Sequence, residues 1–460
     1  MSGKTLGILG VLRLGLVQTA LGAIVVLTTS TINRVMVVEL ALPALLPGLL
    51  VGLHYAIQIT RPRLGYGSDQ GGRRTPWIIG GMAMLAVGGI LAAVSTWLIG
   101  SQFLPGIGLA VFAFMLVGVG VGCAGTSLLV LLAKSVSPRH RGAAASSVWI
   151  MMIMGFIITS VIAGKQLDPF TFERLVVVTT SVSVIAFVLS LVAVWGIESG
   201  VEKRALAVAA SSAQAAETTT PDESENVPFK EALTSVWSEK ESRQFSIFVF
   251  VSMLAYSAQD LILEPFAGTV FAMTPGQSTQ LSGTQHSGVL IGMLMVAFCC
   301  SVFSKYAIGS LRTWTLGGCI ASAVVLASLA LGGFYSERFP LSIGVFLLGL
   351  ANGAFAIGAI GSMMNLVGQG AKKREGLRMG MWGAAQAIAF GAAGLLATLS
   401  VDLARHSFGD AAMAYAFVFA LQAGMFIYAA FLAARVYVPH MVTKSDTLSA
   451  NPMALQLSNR

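Results

Sequence analysis

The sequence predicts an all-α integral membrane protein with twelve transmembrane helices in two six-helix bundles. Three observations carry that prediction. Hydrophobic residues make up 55% of the 460 positions and charged residues only 10%. The apolar residues fall in roughly twelve runs, each long enough to cross about 30 Å of hydrocarbon. Basic residues recur in alternate connections between those runs. The composition excludes a soluble enzyme of ordinary type. The run lengths leave no room for a sizeable water-soluble catalytic domain. Glycine occupies 51 positions, which among apolar spans points to closely approaching helices rather than flexible linkers.

The first six spans are expected near residues 11–32, 41–60, 77–97, 108–133, 143–164 and 176–196. The leading span follows a short, weakly charged head without a convincing small-residue cleavage site, so it reads as a retained helix. Residues 1–196 form the first bundle. A cytoplasmic linker over 197–243 follows, with Glu198, Glu202, Lys203 and Arg204, a small-residue tract from Ala205 to Ala216, and then an acidic stretch around two prolines. Such a composition is partly disordered, with a short surface helix near Phe229 to Trp237. The second six spans are expected near 244–264, 286–304, 314–334, 340–366, 379–400 and 411–434. The second bundle is 244–440, and 441–460 is a cytoplasmic tail. Residues 265–285, rich in Gly, Ser, Thr and Gln, are expected to form an outer loop that helps close a cavity.

Placing both termini in the cytoplasm puts 23 of the 28 Lys and Arg residues on that side, leaving Arg34, Lys165, Arg174, Arg338 and Arg405 outside. This bias sets the topology. The formal net charge of +8 records the same basic rim, which meets anionic lipid head groups; it is poor evidence for nucleic-acid binding.

The halves resemble each other. Pro138, Arg139, Arg141 and Gly142 lead into a helix with Trp149, and Lys373, Arg374 and Gly376 lead into one with Trp382. This supports a duplicated six-helix unit around a central cleft. Between the second and third spans runs Gly65-Tyr66-Gly67-Ser68-Asp69-Gln70-Gly71-Gly72-Arg73-Arg74. It resembles the Gly-x-x-x-Asp-Arg-x-Gly-Arg-Arg loop of the major facilitator superfamily, with Gln70 in place of the first basic residue. In that resemblance Gly65 and Gly72 permit a tight turn, Asp69 caps and pairs with neighbouring helix ends, and Arg73 and Arg74 face the cytoplasmic rim. The second half keeps only a degraded counterpart around Lys305, Gly309 and Arg312.

More specific strings cover nearly the whole chain. They are Arg13-Leu14-Gly15-Leu16, Asn33-Arg34-Val35-Met36-Val37-Val38-Glu39-Leu40, His54-Tyr55-Ala56-Ile57-Gln58 with Arg61-Pro62-Arg63, and Gln259-Asp260-Leu261-Ile262-Leu263-Glu264-Pro265-Phe266-Ala267-Gly268. Together they resemble the PucC/LhaA family of photosynthetic bacteria, a branch of the major facilitator superfamily. The resemblance implies a role in assembling light-harvesting complexes, with bacteriochlorophyll as ligand or cargo. Antenna polypeptides are the implied partners, along with bacteriochlorophyll biosynthetic enzymes. It also implies a bacterial inner or intracytoplasmic photosynthetic membrane.

Asp260 and Glu264 are four residues apart and share a helix face, with Gln259 adjacent. Two carboxylates near hydrocarbon demand a cation, a donor or water. This face either contacts pigment or client, or belongs to an internal polar network that fixes the seventh span. Pro265 is expected to end or bend that helix and bring both carboxylates near the outer interface. Arg34 and Glu39 are expected to pair at the outer turn between the first two spans, and Arg13 to snorkel toward lipid phosphates. His54, with Gln58 one turn on, is either a ligand for the magnesium of a chlorin or a hydrogen-bonded packing residue. Asn352, Asn365, Gln386 and Gln422 read as interhelical hydrogen-bonding residues.

No metal-enzyme or nucleotide motif is visible. Cys123, Cys299, Cys300 and Cys319 fall inside spans without paired ligand spacing. The acidic magnesium-diphosphate sites that prenyl transfer needs are missing as well. A non-enzymatic assembly factor is therefore the leading reading. Its alternatives are a secondary transporter or flippase for a pigment, lipid or other amphipathic solute, and a structural partner retained in the antenna complex.

Overall fold

The computed structural model describes residues 6–60, 73–136, 140–198, 234, 237–303, 306, 310–367 and 375–436. Twelve helices traverse these residues. In the first half they are α1 (Ile8–Val38), α2 (Leu45–Ile57), α3 (Thr75–Ser101), α4 (Phe103–Ser135), α5 (Arg141–Leu167) and α6 (Phe172–Val194). In the second they are α7 (Lys240–Val270), α8 (Pro275–Val302), α9 (Leu311–Gly332), α10 (Leu341–Val367), α11 (Glu375–Phe408) and α12 (Ala411–Val436). Eleven of the twelve contain stretches long and apolar enough to span a membrane, and α2 is a shorter apolar helix. The chain is thus a multi-pass membrane protein. We call the end of the bundle holding the start of α1 and the end of α12 proximal, and the opposite end distal.

The first half packs around two apolar clusters. Leu14, Met82, Leu85 and Leu128 belong to one. Ile32, Met36, Phe114 and Leu175 belong to the other. The second half closes around Phe248, Phe266, Phe355 and Phe419. Leu261 of α7 is embedded in a cluster of the first half. A smaller cluster joins Ile153 of α5 to Val289 and Met293 of α8.

Three expectations are corrected. The cavity-closing loop over 265–285 is not a loop: α7 continues to Val270, α8 begins at Pro275, and only Phe271 to Thr274 connect them. The α8 start carries a full capping box, in which the Gln277 amide N–H donates to Thr274 Oγ1 and the Thr274 N–H to Gln277 Oε1. Its Ser and Thr hydroxyls bond back to helix carbonyls, as in Ser278 to Pro275 and Thr284 to Gln280. Polarity here marks a helix facing protein rather than water. Secondly, of the two alternatives for Pro265, ending or bending the helix, the first does not occur, since Pro265 lies inside α7. Thirdly, Arg13 does not reach out toward lipid: Nη2 donates to the carbonyls of Val192 and Trp195 at the end of α6, satisfying orphan acceptors there.

The two halves repeat a backbone detail. Ala41, after α1, and Ala272, after α7, both adopt positive φ, 50° and 52°. L-residues seldom take that conformation, and here it occurs at corresponding connections of the two bundles.

Candidate functional site

The halves meet along a seam formed by α1, α2 and α5 on one side and α7, α8 and α11 on the other. Its distal third is polar. The hydroxyls of Thr31 on α1 and Thr279 on α8 are 3.0 Å apart. Asn33 Nδ2 donates to the Leu261 carbonyl of α7 at 2.7 Å. Pro265 explains why that acceptor is available: it has no N–H to bond the carbonyl four residues back, which is Leu261. The helix-interrupting residue therefore creates a docking point for the other half.

Arg34 is almost fully buried beside it, at 1% exposure. Nη1 donates to Glu39 in the expected ion pair, and Nη2 donates to the Met273 carbonyl across the seam at 2.6 Å. Gly268 makes room for the guanidinium, since a Cβ there would lie 3.0 Å from its Nε and Nη2. At the seam's edges, Asp402 of α11 accepts the backbone N–H groups of Ala44 and Leu45 at 3.0 and 2.7 Å, capping α2 across the seam. Thr274 donates to Asp168 Oδ2 at 2.9 Å. Between them α5 and α8 touch through glycines, a Cβ on Gly164 falling 2.7 Å from the Gly276 carbonyl oxygen.

The sequence-selected residues scatter across this architecture. Gln259 is buried and accepts from Asn352 Nδ2 at 2.7 Å; Asn352 in turn accepts from Ser322 at 2.9 Å, linking α7, α10 and α9. Glu264 is 2% exposed. Arg34 and Ser282 stand beside it, yet neither carboxyl oxygen accepts a hydrogen bond among the described residues. Asp260 shares the α7 face of Tyr256 and is half-buried. The Tyr256 ring lies 6.4 Å from Phe390 of α11, whose other neighbour at 6.0 Å is Tyr55 of α2. These four side chains stay half-buried where the halves meet, so they outline a mid-depth aromatic cleft with one carboxyl group. His54 is buried, with its ring 4.8 Å from that of Tyr55 and its Nε2 2.9 Å from Gln58 Nε2. Ligating a metal through that nitrogen requires release of the Gln58 contact.

Of the loop motif, Gly65, Asp69 and Gly72 lie outside the described residues. Arg73 is exposed and Arg74 buried at the start of α3. The backbone N–H groups of Arg74 and Thr75 donate to Glu198 at 2.6 and 2.9 Å, so a linker-side carboxylate caps α3. Sequence reasoning missed the roles of Glu198 and Asp402, because both cap helices more than a hundred residues away. It also missed His286, buried at mid-depth on α8 against the Phe156 ring of α5, with ring centroids 4.7 Å apart.

The arrangement is that of a bundle latched at one end and cleft at mid-depth. Among the described residues no group of three or more His, Cys, Asp or Glu could hold a metal ion. The cleft itself offers the half-buried aromatic faces of Tyr55, Tyr256 and Phe390 and the carboxyl group of Asp260.

A family model described as PUCC protein matches residues 31–441. A protein named bacteriochlorophyll synthase 44.5 kDa chain, from Rhodobacter capsulatus, is 47% identical over 97% of this chain and 99% of its own length. Protein PucC of Cereibacter sphaeroides is 29% identical over 90% of this chain and 88% of its own. Among solved structures, a D-xylose-proton symporter aligns with TM-score 0.65 at 14% identity, covering 93% of this chain and 97% of that one. The nucleoside transporter NupG aligns with TM-score 0.62 at 12% identity, covering 94% and 100%. At such identities the likeness concerns the fold, which is that of the major facilitator superfamily.

Proposed function

This chain belongs to the PucC family, and from that premise we propose that it is a non-enzymatic assembly factor for bacterial light-harvesting antenna complexes. It binds or delivers bacteriochlorophyll and assists its insertion into antenna polypeptides, in a bacterial inner or intracytoplasmic photosynthetic membrane with both termini cytoplasmic. The observation that carries the reading beyond the family is the mid-depth cleft of Tyr55, Tyr256, Phe390 and Asp260. Aromatic faces suit a flat macrocycle, and a few polar groups orient its carbonyls. Asp260 and Glu264 are the proposed pigment or client contacts on α7, with Gln259 holding that helix in register and His54 and Gln58 flanking the cleft at Tyr55.

The test is isolation of the protein under mild detergent from a pigmented host, with its pigments and polypeptides identified before and after Asp260→Asn, Glu264→Gln and His54→Ala. Bacteriochlorophyll or antenna polypeptides copurify with the unmodified protein and are reduced in the α7 variants. Their absence from the unmodified preparation overturns the reading; unchanged association in all three folded variants overturns the residue assignments. The fold shared with two carriers favours a second reading, movement of a pigment, lipid or other amphipathic solute across the membrane. Saturable movement in sealed vesicles, abolished by cleft substitutions, distinguishes it.

A further inference from the structure

Glu264 is sealed into the polar distal end of the seam, and neither of its carboxyl oxygens accepts a hydrogen bond among the described residues. Two more buried atoms there lack partners among those residues, the Arg34 Nε donor and the Asn33 Oδ1 acceptor. Arg34 is the only charge among them that acts on Glu264. It is already engaged, through Nη1 with Glu39 and through Nη2 with the Met273 carbonyl. One guanidinium therefore serves two carboxyl groups. With both ionised, the sealed site would hold an unpaired negative charge, which burial away from water makes very costly. Glu39 touches the guanidinium and keeps 32% exposure, so the charge belongs to it. An ionised Glu264 would draw the spare Nε–H of Arg34 into a short charge-assisted bond, and that bond is absent.

The other charged and titratable groups on the elements packed against α7 are committed elsewhere. His286 of α8 turns Nδ1 to the Ser282 carbonyl at 2.8 Å and its ring to Phe156. Asp402 of α11 caps α2. Arg405 of α11 acts on Tyr415 of α12, His406 is exposed, and Arg435 stacks on Phe431 at the proximal end of α12. On α7 itself Asp260 belongs to the mid-depth cleft.

We propose that Glu264 is a proton-binding site built into the seam: the shut distal end holds its carboxyl group neutral, and opening that end releases one proton to the distal side. On opening, water reaches the carboxyl group, the O–H bond breaks, its electron pair stays on the carboxylate and the proton passes to water. This inference goes beyond the pigment-binding reading and stands without it.

The test uses the full-length protein purified in detergent. Its infrared spectrum at neutral pH shows the C=O stretch of a protonated carboxyl group, shifted by deuterium exchange. Glu264→Gln and Glu264→Leu both lack that band, whereas Asp260→Asn and His286→Gln retain it. Opening is read in a background without the four native cysteines, as the rate at which a thiol reagent modifies Thr279→Cys, divided at each pH by the rate at an exposed His406→Cys. The ratio rises about tenfold per pH unit over the range in which the shut form holds the proton and the open form has lost it. Adding Glu264→Gln, which mimics the neutral carboxyl group, makes the ratio low and independent of pH. A carboxyl band that survives both Glu264 substitutions overturns the proposal, as does a ratio whose pH dependence survives Glu264→Gln. Loss of the band on adding sodium at fixed pH overturns the assignment to a proton. None of these outcomes bears on whether pigment copurifies.

Discussion

Asn33 and Pro265 act as a pair although they belong to different halves. Proline frees the Leu261 carbonyl, and the asparagine amide takes it. Asn33→Ala leaves that carbonyl buried without a donor, and a loss of about 1–3 kcal/mol is expected in chemical unfolding of the purified protein. Pro265→Ala restores an intrahelical partner for Leu261 and weakens the bond across the seam, so the double variant loses less than the sum of the singles. Arg34 and Glu264 contrast with each other. Arg34→Met removes both the Glu39 pair and the Met273 bond and costs about 2 kcal/mol; Glu39 is 32% exposed, which holds the figure below that of a fully buried pair. Glu264→Gln keeps a hydrogen-bonding group of the same shape beside Ser282, so stability stays within about 1 kcal/mol, and any loss of bound pigment or client then reports function rather than folding. The carboxylate pair and Arg34–Glu39 were legible because charge is rare in apolar spans. His286 was not: a lone histidine in a polar stretch gives no sign of which nitrogen is committed or what its ring faces.

Among the elements, α8 departs most from expectation, beginning eleven residues before its expected start near 286. The signal was present in Thr274-Pro275-Gly276-Gln277, which reads as a helix start. Low hydropathy masked it, since the polar residues of this helix satisfy themselves against its own carbonyls, the Thr31 hydroxyl of α1 and the Asp168 carboxylate at the end of α5. Helix α2 shows the converse dependence. It is short, has no side-chain cap of its own, and takes its cap from Asp402 of α11. Asp402→Ala is expected to cost about 1 kcal/mol, and hydrogen exchange measured by mass spectrometry should accelerate at Leu45 to Gly48 while the middle of α11 stays protected. Equal protection in both proteins would remove Asp402 from this role.

At the scale of the molecule, the bonds from Thr31, Asn33, Arg34, Asp168 and Asp402 hold the distal ends of the halves together. An assembly factor can keep this latch shut, whereas a carrier must open it once per cycle. In a background without the four native cysteines, Asp168→Cys and Thr274→Cys bridged by a short bis-thiol reagent should leave antenna assembly intact in membranes. Loss of assembly on bridging, reversed by cleaving the bridge, would favour alternating access. The twelve spans, the six-plus-six division and the family resemblance were all readable along the chain, because run length, periodic charge and short specific strings are local properties that survive without coordinates. The latch and the cleft were not. They depend on which donor meets the carbonyl that a proline frees and which helix start a distant carboxylate reaches, and each of these is fixed only when helices far apart in sequence pack against one another.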